Sequence, residues 1–156
     1  MSGEAFTGGC QCGAVRFRVD RLGRASICHC RMCQKHFGSF YGPLVTAFEM
    51  TWTRGAPKWF QSSNRAQRGF CADCGTPLVY RPDDGADELA IGAFDDPTVA
   101  APAIQVNPTD KLPFVDTLHL LPTRTDDEMA NAEAFYASIV SYQHPDHDTM
   151  KWPPKA

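Results

Sequence analysis

Apolar and polar positions alternate strictly between Ala14 and Val19. Val15, Phe17 and Val19 are apolar, with Arg16 and Arg18 between them. A two-residue period puts the apolar side chains on one face, so AVRFRV (14–19) is predicted to be a half-buried strand. KWFQSS (58–63), PLVYR (77–81) and ELAIGAF (88–94) are short, bounded by turn residues and rich in strand formers, and are also predicted as strands. TLHLL (117–121) alternates more weakly. The helical period occurs twice. RMCQKHF (31–37) suits about two turns ending at Gly38, a good C-terminal stop. In DDEMANAEAFYASIVSY (126–142), Thr125 and Glu128 have capping-box spacing, and Met129, Ala132, Phe135 and Ile139 form an apolar stripe expected to pack against the sheet. QHPDHDTMKWPPKA (143–156) has no period and three prolines, which reads as an irregular arm with His144 and His147 in solvent. The whole predicts one mainly β domain over 1–142, with a C-terminal helix and an irregular tail over 143–156.

Composition narrows the function classes. A chain of 156 residues with 43% apolar and 21% charged residues is an ordinary globular composition. A net charge of -3 and a pI near 5.9 give no footprint for nucleic acid or an anionic membrane. No apolar run reaches the roughly 20 residues of a membrane span, and MSGEAFTGG has the charge and hydropathy of no secretory leader. The expectation is a cytoplasmic protein with no nucleic-acid or membrane partner.

The seven cysteines change the picture most. They fall in three groups: Cys10 and Cys12, then Cys28, Cys30 and Cys33, then Cys71 and Cys74. An odd count cannot pair fully within one chain, and clustered thiols in a reducing compartment are more often metal ligands or catalytic groups than disulfides. FCADCGTPL (70–78) has the spacing of a zinc knuckle, in which two sulfurs reach one ion and Gly75 turns the chain with a positive φ. In GGCQCGAV (8–15), a C-x-C puts both thiols on one side of an extended chain. Cys10, Cys12, Cys71 and Cys74 would close a four-thiolate structural site across a loop of about sixty residues, where a cross-link constrains the unfolded chain most.

Cys28, Cys30 and Cys33 are left as three ligands on one short segment, and three protein ligands with an open fourth position is the pattern of a catalytic zinc. Three thiolates leave the zinc complex with one net negative charge. That weakens it as an acid toward a carbonyl but still lets it hold an incoming thiol as thiolate. The chemistry points to a sulfur nucleophile rather than to hydrolysis. Three other readings stand beside this one: closure by His29 or His36, an iron–sulfur site, and a metal-free redox cluster.

The order GGCQCGAVRF, CHCRMCQKHFGS, FQSSNRAQRGFCADCGTPLVY and IGAFDDP resembles the glutathione-dependent formaldehyde-activating enzyme family, which also contains the centromere protein V group. The resemblance runs from about Phe6 to Pro122 and includes Ser62, Ser63, Arg68, Phe70, Asp95, Asp96 and Pro97. It implies stacked antiparallel sheets of the β-tent type. It also implies two zinc ions, a structural one on Cys10, Cys12, Cys71 and Cys74 and a catalytic one on Cys28, Cys30 and Cys33. The implied reaction is condensation of glutathione with formaldehyde to S-(hydroxymethyl)glutathione, the reverse of a carbon–sulfur lyase. Gln105 and Phe114 stand where the family commonly has histidine and tryptophan, a departure in the walls of the substrate pocket.

Basic groups would suit a thiol with two carboxylates, because arginine binds a carboxylate in a fork. Arg31, Lys35, Ser39, Arg65 and Arg68 are the candidate substrate contacts. The expected activity is therefore a zinc-dependent carbon–sulfur lyase acting on a thiol such as glutathione and an aldehyde. The alternative is a non-catalytic, zinc-stabilised binding module for a protein or chromatin partner.

Overall fold

The computed structural model describes residues 5–152. Its elements run β1 (Phe6–Gly9), β2 (Arg16–Cys28), α1 (Arg31–Phe37), β3 (Gly42–Arg54), β4 (Lys58–Ser63), β5 (Ala66–Phe70), β6 (Pro77–Pro82), β7 (Glu88–Ala90), β8 (Ile104–Val106) and α2 (Asp126–Ala137). The sheet order is β1-β2-β3-β7-β6-β5-β4 with antiparallel neighbours; β8 pairs parallel to β2 on the edge it shares with β1. The mainly antiparallel architecture with few helices and a C-terminal helix is the one the patterning predicts.

The strand at 14–19 extends much further, to Cys28, because β3 runs antiparallel beside it from Arg16↔Arg54 to Cys28↔Gly42. β3 is absent from the sequence reading. Its register slips by bulges between Arg16 and Phe17 and between Leu22 and Ala25, which blurs a clean period of two. The segment 88–94 is a strand only over its first three residues, then a 3₁₀ turn at Ile91–Ala93. TLHLL is not a strand: Pro113–Leu120 is 3₁₀ helix, begun by a proline whose fixed φ suits a first helical turn.

The apolar face of β2 builds the core. Phe17 is fully buried, with its ring edge-on to Trp52 at 6.1 Å and to Phe94 at 5.1 Å. Leu78 and Val79 of β6, Leu89 of β7 and Val45 of β3 complete that layer. Phe17→Ala is therefore expected to cost about 3–5 kcal/mol, the range for truncating a buried phenylalanine. Denaturant unfolding at fixed metal load measures this; a loss under about 1 kcal/mol would contradict the placement of the ring.

Two expectations for the C-terminal third are corrected. The capping box of α2 forms as predicted, with Thr125 and Glu128 exchanging both bonds. Its apolar stripe, however, does not pack on the sheet: Met129, Phe135 and Ile139 are all exposed, and the helix stops at Ala137 rather than continuing to 142. The arm after it has no regular structure, as expected, yet it docks. His144 is buried rather than solvated, its N–H bonds Gln11 O at 2.7 Å, and the Trp152 indole bonds Cys12 O. Arg16, 3% exposed, ties the arm to the sheet by gripping Asp95 bidentately at 2.6 and 2.7 Å and Asp148 at 2.7 Å. Burial works against the Asp95 charge, but the bonds from Arg16 and Thr7 outweigh it and hold that carboxyl below its usual range. His147 is exposed, as read from the sequence.

Candidate metal centres and the adjoining cavity

Two turns from distant parts of the chain meet to form the first centre. After β1, Cys10–Gly13 turns with Gly13 at φ 78°; after β5, Cys71–Gly75 turns with Gly75 at φ 78°. Each glycine N–H bonds the carbonyl of its first cysteine, Gly13 to Cys10 at 3.0 Å and Gly75 to Cys71 at 2.9 Å. A positive φ is open to glycine at little cost, so each knuckle closes tightly. Cys10, Cys12, Cys71 and Cys74 bring their sulfurs within 4.8 Å of one another. The Cys10–Cys12 and Cys12–Cys71 separations are 3.6 and 3.7 Å. A tetrahedral zinc with Zn–S near 2.3 Å requires S···S of roughly 3.8 Å, so the thiols fit such an ion. The surrounding donors also fit, since Val15 N–H points at Cys10 Sγ from 3.2 Å and the Thr76 hydroxyl lies 3.2 Å from Cys74 Sγ.

The second centre lies where β2 ends and α1 begins. Cys28 is the last residue of β2, Cys30 caps α1, and Cys33 is on its first turn. A helical turn carries Cys33 back over the cap, and its N–H donates to Cys30 Sγ at 3.4 Å. All three sulfurs lie within 4.8 Å of one another. Two further donors converge on them: Asn107 Nδ2 on Cys28 Sγ at 3.4 Å and Arg68 Nη2 on Cys33 Sγ at 3.3 Å. The contact with Cys33 holds the Cys28 thiol down at about 5, while the same contact and burial push Cys33 upward. Three close sulfurs, each receiving an N–H, have the donor set of a metal-binding thiolate group.

Among the described residues, neither histidine joins this cluster. The fully buried His29 turns Nε2 to Gln105 Oε1 at 2.9 Å. Burial first, and the Arg68 charge second, push His36 down to about 4, so it is neutral near pH 7. Phe114 lies edge-on to Phe40 at 5.0 Å and is half exposed.

A cavity of about 290 Å³ opens on the three cysteines, lined also by Ser62, Arg68, Tyr80, Glu88 and Asn107. Glu88 and Tyr80 face each other across β7 and β6. Burial, reinforced by the negative charge at Cys28, raises the Glu88 carboxyl against the opposing pull of Arg68. A second cleft shares Met32, Ser62 and Arg68 with this cavity and adds Arg31, Lys35 and His36. Of the basic candidates, Arg68 thus sits at the cysteines, and Arg31 and Lys35 lie exposed along the adjoining cleft. Ser39 is on the exposed turn after α1 and lines neither cavity. Arg65 is in the turn of the β4–β5 hairpin and lines neither cavity, paired instead with Asp83 and with Asp84 at 3.1 Å. Glu88, Tyr80 and Asn107 escaped the sequence reading. The Asn-Pro step at 107–108 marks a turn, and Asn107 indeed takes φ 52°; nothing local signals that it reaches Cys28.

An antiparallel β-sheet carrying one cluster of four thiols and one of three, with a cavity on the latter, defines a two-centre cysteine protein able to hold metal ions and consistent with zinc. The model of the glutathione-dependent formaldehyde-activating enzyme family matches residues 5–109, and the chain belongs to that family. The same fold occurs in the crystal structure of a Rhodobacter sphaeroides protein, a structural genomics target, at 21% identity and a TM-score of 0.50, covering 64% of this chain and 99% of that one. No helix among the described residues is long and apolar enough to cross a membrane.

Proposed function

We propose that the chain is a carbon–sulfur lyase-type enzyme that joins a thiol, such as glutathione, to an aldehyde, such as formaldehyde, and cleaves the adduct in reverse. The observation that carries this reading is the three-cysteine cluster, without a fourth protein ligand among the described residues, opening on a cavity that also holds Glu88 and Arg68. Cys28, Cys30 and Cys33 would hold a zinc ion, which supplies a place for the substrate thiol to bind ionised. Cys10, Cys12, Cys71 and Cys74 would hold the second, structural ion.

The protein's own side chains provide the rest. Arg31 and Lys35 in the adjoining cleft attract the carboxylates of an acidic thiol and orient it with sulfur toward the cysteines. Glu88, whose carboxyl is raised by burial and by the charge at Cys28, is the side chain placed to donate a proton, in its protonated form, to the carbonyl oxygen as the S–C bond forms and the C=O π pair moves to oxygen. The thiol releases one proton and the oxygen gains one, so Glu88 is reprotonated through solvent exchange and the turnover balances.

The test is the rate of S-(hydroxymethyl)glutathione formation by fully metallated protein, read above the uncatalysed background by NMR exchange. No acceleration would overturn the named reaction. Glu88→Gln is expected to lower kcat by about 10²–10⁴-fold while the KM for the thiol stays near that of the wild type. The sign with pH follows from the raised carboxyl. The active form is the protonated one, so kcat falls as pH rises through the Glu88 pKa, and the amide variant loses that alkaline limb. A variant with an unchanged profile would remove Glu88 from the mechanism. The second reading, a binding module for a protein partner, has one feature in its favour, the exposed Met129, Phe135, Ile139 and Tyr142. It predicts self-association or partner capture that survives loss of the three-cysteine metal.

A further inference from the structure

Arg68 is a buried cation without a carboxylate. It is 3% exposed on β5, and among the described residues it enters no ion pair with an acid. Nε donates to Ser62 Oγ at 2.9 Å, Nη2 to Cys33 Sγ at 3.3 Å, and the guanidinium carbon lies 5.0 Å from the centre of the Tyr80 ring. Nη1 is buried with no hydrogen-bond partner. A buried charge is costly unless something of opposite sign compensates it. Two acidic groups lie within its reach: the cysteine cluster, whose Cys33 it touches, and the Glu88 carboxyl of the same cavity, with which it forms no ion pair.

A divalent ion on three thiolates bears one net negative charge, and a fourth anionic ligand would make it two. That electrostatic cost rises steeply in a half-buried site. We propose that Arg68 is the fixed counter-charge of the three-cysteine centre: it makes the metal-loaded site neutral and leaves the thiolate-bound site with one negative charge instead of two, and so strengthens binding of an anionic thiolate more than that of a neutral ligand. Arg68 is then a positioning residue acting through Cys33, rather than the carboxylate clamp its sequence position suggests. Ser62 and Tyr80 hold the guanidinium in place, one by a hydrogen bond and the other by its ring face. The proposal rests on the reading that Cys28, Cys30 and Cys33 hold a metal.

The experiment uses the full chain loaded with cobalt(II), whose visible bands and sulfur-to-cobalt charge transfer report a new ligand directly and need no turnover. Wild type, Arg68→Gln and Arg68→Lys are titrated with 2-mercaptoethanol as the anionic probe and imidazole as the neutral one. Arg68→Gln is expected to bind the thiol at least ~30-fold more weakly, the effect of removing one partner of a buried charge pair, with imidazole affinity changed less than ~3-fold. Arg68→Lys and Ser62→Ala keep the charge and are expected to keep the thiol preference. Equal weakening toward both probes, or no weakening, overturns the proposal. If Arg68→Gln takes up no cobalt, the two charge-retaining variants decide it, and loss of thiol preference in either one overturns it. Arg68-dependent thiol binding without catalysed adduct formation would refute the proposed reaction and leave this inference standing. A wild type that takes up cobalt at the three cysteines but binds neither probe would refute it.

Discussion

Cys71→Ser is expected to yield aggregate or unfolded chain rather than a weakened enzyme. Cys71 is 1% exposed and belongs to the same core cluster as Cys10, Phe17, Leu78 and Phe94. It also joins two turns whose cysteines lie 59 residues apart in the Cys12–Cys71 contact. A structural zinc contributes folding free energy outright, with apparent values of about 10–16 kcal/mol in small zinc domains. A typical domain has only about 5–15 kcal/mol of total stability. Losing the metal's share therefore removes an amount comparable to the whole margin, and a serine hydroxyl in the core leaves a polar group poorly paired as well. Circular dichroism melting with zinc analysis on the same sample checks this. A variant that melts cooperatively near the wild-type temperature with one zinc fewer would show that the four-thiol site does not hold the fold together.

Cys30→Ser is the opposite case, with a large loss of activity on an intact fold. Cys30 is only partly buried and, with Cys28 and Cys33, lies outside the main core cluster. Its structural task is to cap α1 by accepting from Cys33 N–H, and serine is among the best N-caps, so the helix start is retained. What serine does not replace is a thiolate. With two sulfurs left, the site is expected to lose its ion. Adduct formation should fall by at least ~100-fold, more than the loss typical of changes to outer-shell partners. The melting temperature should stay within a few degrees of wild type at equal load of the four-thiol site. If Cys30→Ser and Cys71→Ser unfold alike, the assignment of the three-cysteine cluster to chemistry fails, because both centres would then be structural.

The grouping of the cysteines behind these two variants was legible in the chain from spacing alone. A C-x-x-C-G and a C-x-C-G are local devices: the cysteines and the glycine that turns beside them are neighbours in sequence, and their geometry needs little from the rest of the fold. The capping box of α2 was readable for the same reason, as was the strand around Phe17. Local pattern misled where packing decides. The stripe Met129, Phe135, Ile139 has core spacing, yet α2 buries no residue. His144 sits in a segment with no period, yet it is buried, because its own N–H bonds Gln11 O and, further along the arm, Arg16 and Arg54 hold Asp148 and Thr149.

By itself, then, the sequence determined the family, the mainly β class and the division of seven thiols into four and three, because each depends on residue types at short, fixed separations. Tertiary structure alone decided what faces the three sulfurs. Arg68 reaches Cys33 across 35 residues and Asn107 reaches Cys28 across 79, while Glu88 comes opposite Tyr80 through the register of β6 with β7. Register is a collective property of paired strands, set by burial along their whole length, and a slip of one residue would turn Arg68, Tyr80 or Glu88 to the other face.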